Sequence, residues 1–192
     1  MTSFYLMEVD HSLDYGVVAN PDIGDDPAFL TGHLIGEDLP TLVFEVNFPK
    51  DARLPHFLGY EIPLVSGELI QVFKATGIDN FQIFPARLTN SETGQFWDDF
   101  FAFNVLGLIR AANLEYSDFD VLMDGGDDSE VPALLAFREI ALDKDKIPSA
   151  VLMFRMAEDP GNLIVHEQLV KLLFKNRPED GWGIDLIEVD LF

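Results

Sequence analysis

Ser66-Gly67-Glu68-Leu69-Ile70-Gln71-Val72-Phe73-Lys74-Ala75-Thr76-Gly77, followed after a short gap by Phe81-Gln82-Ile83-Phe84-Pro85, changes its hydrophobic period within twenty residues. Ser66 offers the side-chain oxygen that an N-cap needs, and Gly77 stands at the C′ position, where a left-handed residue closes a helix. Between them Leu69, Ile70, Val72 and Phe73 recur on one face, so a helix is expected from Gly67 to Ala75. Phe81 to Phe84 then alternates with period two and reads as a strand, with Pro85 at its end or on a sheet edge. A helix running into a strand of this kind places the chain among mixed folds.

The flanking sequence extends this pattern. Phe4 to Val9 is aromatic and β-branched enough for an opening strand, and Asp14 to Gly36, rich in Gly, Pro and Asp, reads as a long surface loop. Thr41 to Val46 is a second strand ended by Pro49, and Pro55 to Pro63 is an irregular connection. Phe96 to Ile109 is apolar at nearly every position after Asp99, and its aromatic content favours a strand. Asp118 to Glu130 reads as an acidic loop. Leu134 to Leu142 and Ala150 to Met156 look like a strand pair joined by a turn from Asp143 to Pro148. The last helix is expected from Glu167 to Asn176, with Leu169, Val170, Leu172, Leu173 and Phe174 inward, and Asp185 to Asp190 closes the chain as a strand. The sum is an α+β fold, a mixed and mostly antiparallel sheet with a few packed helices, in one domain over 1–192 whose first 53 residues are the less defined part. No internal repeat is visible.

Charge narrows the partners. The chain carries 34 Asp and Glu against 12 Lys and Arg in 192 residues, a net charge of −22, and no base precedes Lys50 while nine acids do. Such a field repels bare nucleic acid and anionic lipid and draws basic partners inward at salt-dependent rates. Hydrophobic residues are 48% and Phe supplies 17 positions, so the chain has the apolar material for a core and is not a disordered acidic tail. The absence of cysteine excludes disulfides, thiolate metal sites and cysteine nucleophiles. No signal peptide or membrane span is apparent, and a cytoplasmic location is expected.

Catalytic patterns are missing. There is no phosphate-binding glycine loop, nucleophile elbow or paired-histidine helix motif. His11, His33, His56 and His166 are scattered without ligand-like spacing, and His166 occupies a cap position before the last helix. The acidic run from Asp118 fails the EF-hand template, because Leu122 and Met123 stand where an oxygen ligand and a glycine are required. Neither a metal nor another cofactor is expected. Arg155, between Phe154 and Met156, and Arg110, after Leu108-Ile109, are the unusual bases, and each is expected to pair internally with a carboxylate.

The stretch Ser66 to Pro85, followed by Phe103-Asn104-Val105-Leu106-Gly107 and Ser117, resembles the Imm11-type immunity proteins of bacterial polymorphic toxin systems. Leu152-Met153-Phe154-Arg155-Met156, the helix bearing Leu169, and the segment Gly183-Ile184 to Val189 are similar to that family's C-terminal half. The resemblance spans residues 54–192. It implies a small cytoplasmic antidote, not an enzyme, that binds and neutralises a cognate toxin domain, with no direct nucleic-acid or membrane partner. Many toxins paired with such families are nucleases with basic surfaces, which the acidity here would complement. Asp22, Asp25 and Asp26, with Asp124, Asp127, Asp128 and Glu130, lie in two base-free stretches among Gly and Pro and are the expected partner contacts. The residues alone also allow a carboxylate-dependent hydrolase, with or without a divalent metal, or an acidic nucleic-acid mimic.

Overall fold

The computed structural model describes residues 2–23, 29–36, 38–59, 61–123 and 134–192. In chain order its elements are β1 (Phe4–Val9), β2 (Val17–Ala19), β3 (Leu42–Val46), β4 (Phe57–Leu58), β5 (Leu64–Ser66), α1 (Gly67–Thr76), β6 (Phe81–Asn90), β7 (Gln95–Val105) and β8 (Leu108–Ile109). They continue with β9 (Asp118–Met123), β10 (Leu134–Glu139), β11 (Ala141–Leu142), a 3-10 turn (Lys144–Lys146), β12 (Met153–Met156), β13 (Leu163–His166), α2 (Glu167–Lys175) and β14 (Ile184–Leu191). The class is broadly α+β, rich in sheet and low in helix. Instead of one sheet there are two six-stranded ones, ordered β11-β14-β1-β13-β12-β8 and β2-β3-β6-β7-β5-β4, and a ribbon of β9 and β10. Most pairings are antiparallel; β3–β6, β8–β12 and β11–β14 are parallel.

The central strands of both sheets, such as β5, β12 and β13, are buried on two faces, which explains their near-continuous apolar runs. In the first sheet Met7, Met153, Leu163 and Val165 face α1, α2 and the second sheet, packing with Phe73, Phe103 and Leu169. On the opposite face Phe4, Phe154, Met156 and Ile164 pack under Ala111, Ala112 and Leu142. A third cluster, around Phe44, Leu64, Leu88 and Phe100, fills the outer face of the second sheet.

Both helices leave their strands in the same way. Ser66 ends β5 and caps α1 by accepting from the Leu69 N–H, and His166 ends β13 and caps α2 by accepting from the Gln168 N–H. Gly77 closes α1 at φ +90°, as expected of a C′ glycine.

Several expectations need correction. Pro85 does not end a strand: β6 continues to Asn90, and because its pairing with β3 begins only at Ala86, no ladder bond toward β3 is required at Pro85. The region 14–36 includes the short strand β2, paired to β3. Asp118 to Met123 is a strand rather than loop, since β10 pairs with it from Asp118 onward. The segments 134–142 and 150–156 do not pair with each other; β10 joins β9, β11 joins β14, and β12 lies between β13 and β8. Phe174 is 64% exposed because it stands five residues beyond Leu169, about 140° around the helix from it. Arg110 is exposed, and Arg155, although buried, donates among the described residues to main-chain carbonyls and to no carboxylate.

Candidate functional site

Of the seven expected contact residues, Asp22 is exposed on the segment after β2, and the other six, Asp25, Asp26, Asp124, Asp127, Asp128 and Glu130, lie outside the described residues. The base of the β9–β10 ribbon carries exposed features that the sequence pattern did not single out.

The anchor is the turn at 113–117. The Asn113 carbonyl accepts from the Tyr116 and Ser117 N–H groups, while the Asn113 side chain accepts from the Glu115 N–H. The Ser117 hydroxyl accepts from the Ala141 N–H, and the Asn113 N–H donates to the Ala141 carbonyl, which ties the turn to β11. β11 runs parallel to the end of β14, and the Phe192 N–H donates to the Leu142 carbonyl. This arrangement brings Phe192 under Tyr116, where the two rings stack with centroids 4.1 Å apart and planes 7° from parallel. Both remain more than half exposed, at 55% and 51%.

From Ser117 the chain enters β9, which exposes Val121, Leu122 and Met123. Arg138 on β10 grips the strand's acids: Nε and Nη2 donate to the two Asp118 oxygens at 2.9 and 2.6 Å, and Nη1 donates to Asp120. These bonds hold the Asp118 carboxyl below its usual range and raise the guanidinium further. Beside the ribbon lies a groove of about 510 Å³ whose walls carry Glu8, Glu139, Glu188 and Asp190, with Arg138 as the only Lys or Arg among the described residues of its lining. An exposed aromatic pair, a strip of exposed apolar side chains and an acidic groove thus lie on the turn before β9, on β9 itself, and along β10 and β14, whose end carries Phe192. That combination suits protein recognition, in which aromatic anchors supply energy and surrounding charge supplies orientation.

A catalytic reading of the described residues centres on His56. Its Nδ1 is 2.8 Å from the Ser66 hydroxyl and 4.0 Å from a Glu68 oxygen, so a serine, a histidine and a carboxylate converge. Their geometry is wrong for nucleophile activation, because serine and carboxylate address the same ring nitrogen where a triad uses opposite ones. Ser66 is also buried and committed to the α1 cap, and the His56 ring packs edge-on against Trp182 at 5.0 Å. Burial pushes the His56 pKa down, with Glu68 opposing, and the group works as a buried polar strut. Among the described residues no group of three or more His, Cys, Asp or Glu side chains could hold a metal ion.

A family model described as an immunity protein family, Imm11, matches residues 35–190. The chain belongs to the Imm11 immunity protein family. The match begins before Leu54 and takes in β3, the partner of β6, so in this Imm11 protein the family's extent includes the second sheet's parallel pair. Membership points to toxin-neutralising immunity as the chain's role. No curated protein matches the chain. The Ser66 to Pro85 stretch forms the Imm11 scaffold here: Ser66 and Gly77 cap α1, and Asn80 bridges the carbonyls of Leu106 and Met153.

Proposed function

We propose that this Imm11 protein neutralises a basic toxin domain by occupying it, one molecule to one, and that a cytoplasmic nuclease toxin is the class that fits best. The observation that carries this reading is the coincidence of a net charge of −22 with the exposed Tyr116–Phe192 pair and an acidic groove lined by the strands β10 and β14. The summed field draws a basic surface in and orients it, while the aromatic pair and the Val121 to Met123 strip provide desolvated contact once it arrives. A nuclease presents a basic face to its substrate, and an acidic protein seated there excludes that substrate. Inhibition by occupancy requires no turnover, and the His56–Ser66–Glu68 arrangement supports none. Titrating the activity of the co-encoded toxin domain with this protein tests the reading, which expects activity to end at one equivalent.

A further inference from the structure

β14 is bonded along only one side for most of its length. β1 pairs with it from Ile184 to Val189, whereas on the other side β11 reaches only Asp190 and Leu191. Successive residues of a strand turn their main-chain groups to opposite sides. The Asp10 N–H donates to the Gly183 carbonyl, so Gly183, Asp185, Ile187 and Val189 address β1, and Ile184, Leu186 and Glu188 address the side away from it. At the far end the Phe192 N–H donates to the Leu142 carbonyl of β11, which continues the alternation. Among the described residues no hydrogen bond uses the main-chain groups of Ile184, Leu186 or Glu188. None of the residues from Ile184 to Glu188 is buried, and Ile187 is 52% exposed.

A row of unpaired main-chain groups is a template for another strand, and charge on the edge decides which strands it admits. β14 carries Asp185, Glu188 and Asp190, and the whole chain carries −22, so two copies meeting edge to edge would set like charges against each other. The same acids favour a basic strand. Leu6 stands opposite Ile187 in the β1–β14 register, and both line the groove of about 510 Å³ together with Glu8, Glu139, Glu188 and Asp190. Arg138, also in that lining, already donates to Asp118 and Asp120. A strand laid beside β14 turns alternate side chains to the face that carries Ile187. There a lysine or arginine stem can lie along the exposed isoleucine while its charge meets the carboxylates.

We infer that the outer edge of β14, from Ile184 to Glu188, receives an extended segment of the toxin domain as an added strand, with lysine or arginine at the alternate positions that face the groove. Main-chain bonds to Ile184, Leu186 and Glu188 supply affinity that is indifferent to sequence, and the groove supplies the preference for basic side chains. The inference rests on the toxin-neutralising reading and adds to it the mode of contact.

The test is backbone amide hydrogen exchange of the 15N-labelled protein, free and with the co-encoded toxin domain, with complex formation checked by size-exclusion chromatography. In the free protein the Leu186 and Glu188 amides are expected to exchange fast, while those of Ile187 and Val189, which address β1, exchange slowly. In the complex the Ile184, Leu186 and Glu188 amides are expected to slow by about a hundredfold or more. Glu188→Pro removes one outward N–H at a position where an edge strand tolerates proline, and Glu188→Ala removes the carboxylate alone. The proline variant is expected to bind the toxin domain about tenfold more weakly than the alanine variant. If the proline variant does not fold, the wild-type exchange pattern decides alone. A complex that forms but leaves the Leu186 and Glu188 amides as fast as in the free protein overturns the edge pairing and spares the toxin reading. Absence of any complex overturns both. Slow exchange of these amides in the free protein also overturns the inference: a second copy is the occupant if the slowing grows with concentration, and the edge is already covered if it does not.

Discussion

Replacing Tyr116 with Ala separates binding from folding more cleanly than any other change at the proposed surface. The ring is 55% exposed and its main partner is Phe192, 4.1 Å away and itself 51% exposed. A stacked aromatic pair contributes roughly 0.5–1.5 kcal/mol beyond its buried area, so the fold is expected to lose about 1 kcal/mol. The turn itself survives, because the Asn113 and Ser117 hydrogen bonds do not involve the Tyr116 side chain. If the pair is an anchor at the toxin interface, truncation costs about 2 kcal/mol or more of affinity, or roughly thirtyfold in Kd. Phe174→Ala is the matched control: it is 64% exposed and lies on α2, which covers the opposite face of the first sheet. Calorimetric titration of the toxin domain into each variant, with thermal unfolding run in parallel, reads both quantities. The expected result is a large affinity loss for Tyr116→Ala and almost none for Phe174→Ala. Equal affinities for the two variants would refute the placement of the interface.

Two further predictions concern the scaffold. Ser66→Ala removes the acceptor for the Leu69 N–H at 3.2 Å and the partner of His56 Nδ1 at 2.8 Å, and is expected to lower stability by about 1–2 kcal/mol in denaturant unfolding while leaving toxin affinity unchanged. His56 has its pKa lowered by burial from the ordinary 6.5, so the unfolded chain takes up its proton first as pH falls. The stability this group contributes is complete above pH 6.5 and is lost as pH falls toward the folded value. Unfolding curves of the wild type and His56→Gln, collected across this range, should converge on acidification; a constant gap between them would count against the assignment.

The parts of the fold that are local in sequence are the parts that sequence reveals. Helix α1 is legible because Ser66, the Leu69 to Phe73 stripe and Gly77 each act within one or two turns. The strand β9 is not, because its acids dominate the pattern, and what makes Asp118 and Asp120 tolerable in a strand is Arg138, twenty and eighteen residues away respectively. Pairing is likewise non-local: β1 lies between β13 and β14, which come more than 150 residues later. Arg155 stands out in the sequence as a base in an apolar strand, yet its surroundings depend on β1 and on the 57–63 segment, which only the folded chain brings to it. The exposed Tyr116–Phe192 pair carries no sequence signal at all, since an aromatic residue in a turn and another after the last strand look like ordinary core material.

Titration of toxin activity at two ionic strengths tests the central claim most directly. A fixed amount of the co-encoded toxin domain is mixed with increasing amounts of this protein, and residual activity is measured at low and at high salt. Neutralisation by occupancy predicts a linear fall to zero at one equivalent at low salt. It also predicts a curve that becomes shallower as salt rises, because screening weakens the attraction between the acidic face and a basic toxin. Full suppression well below one equivalent, or activity that persists beyond it at low salt, would contradict the account.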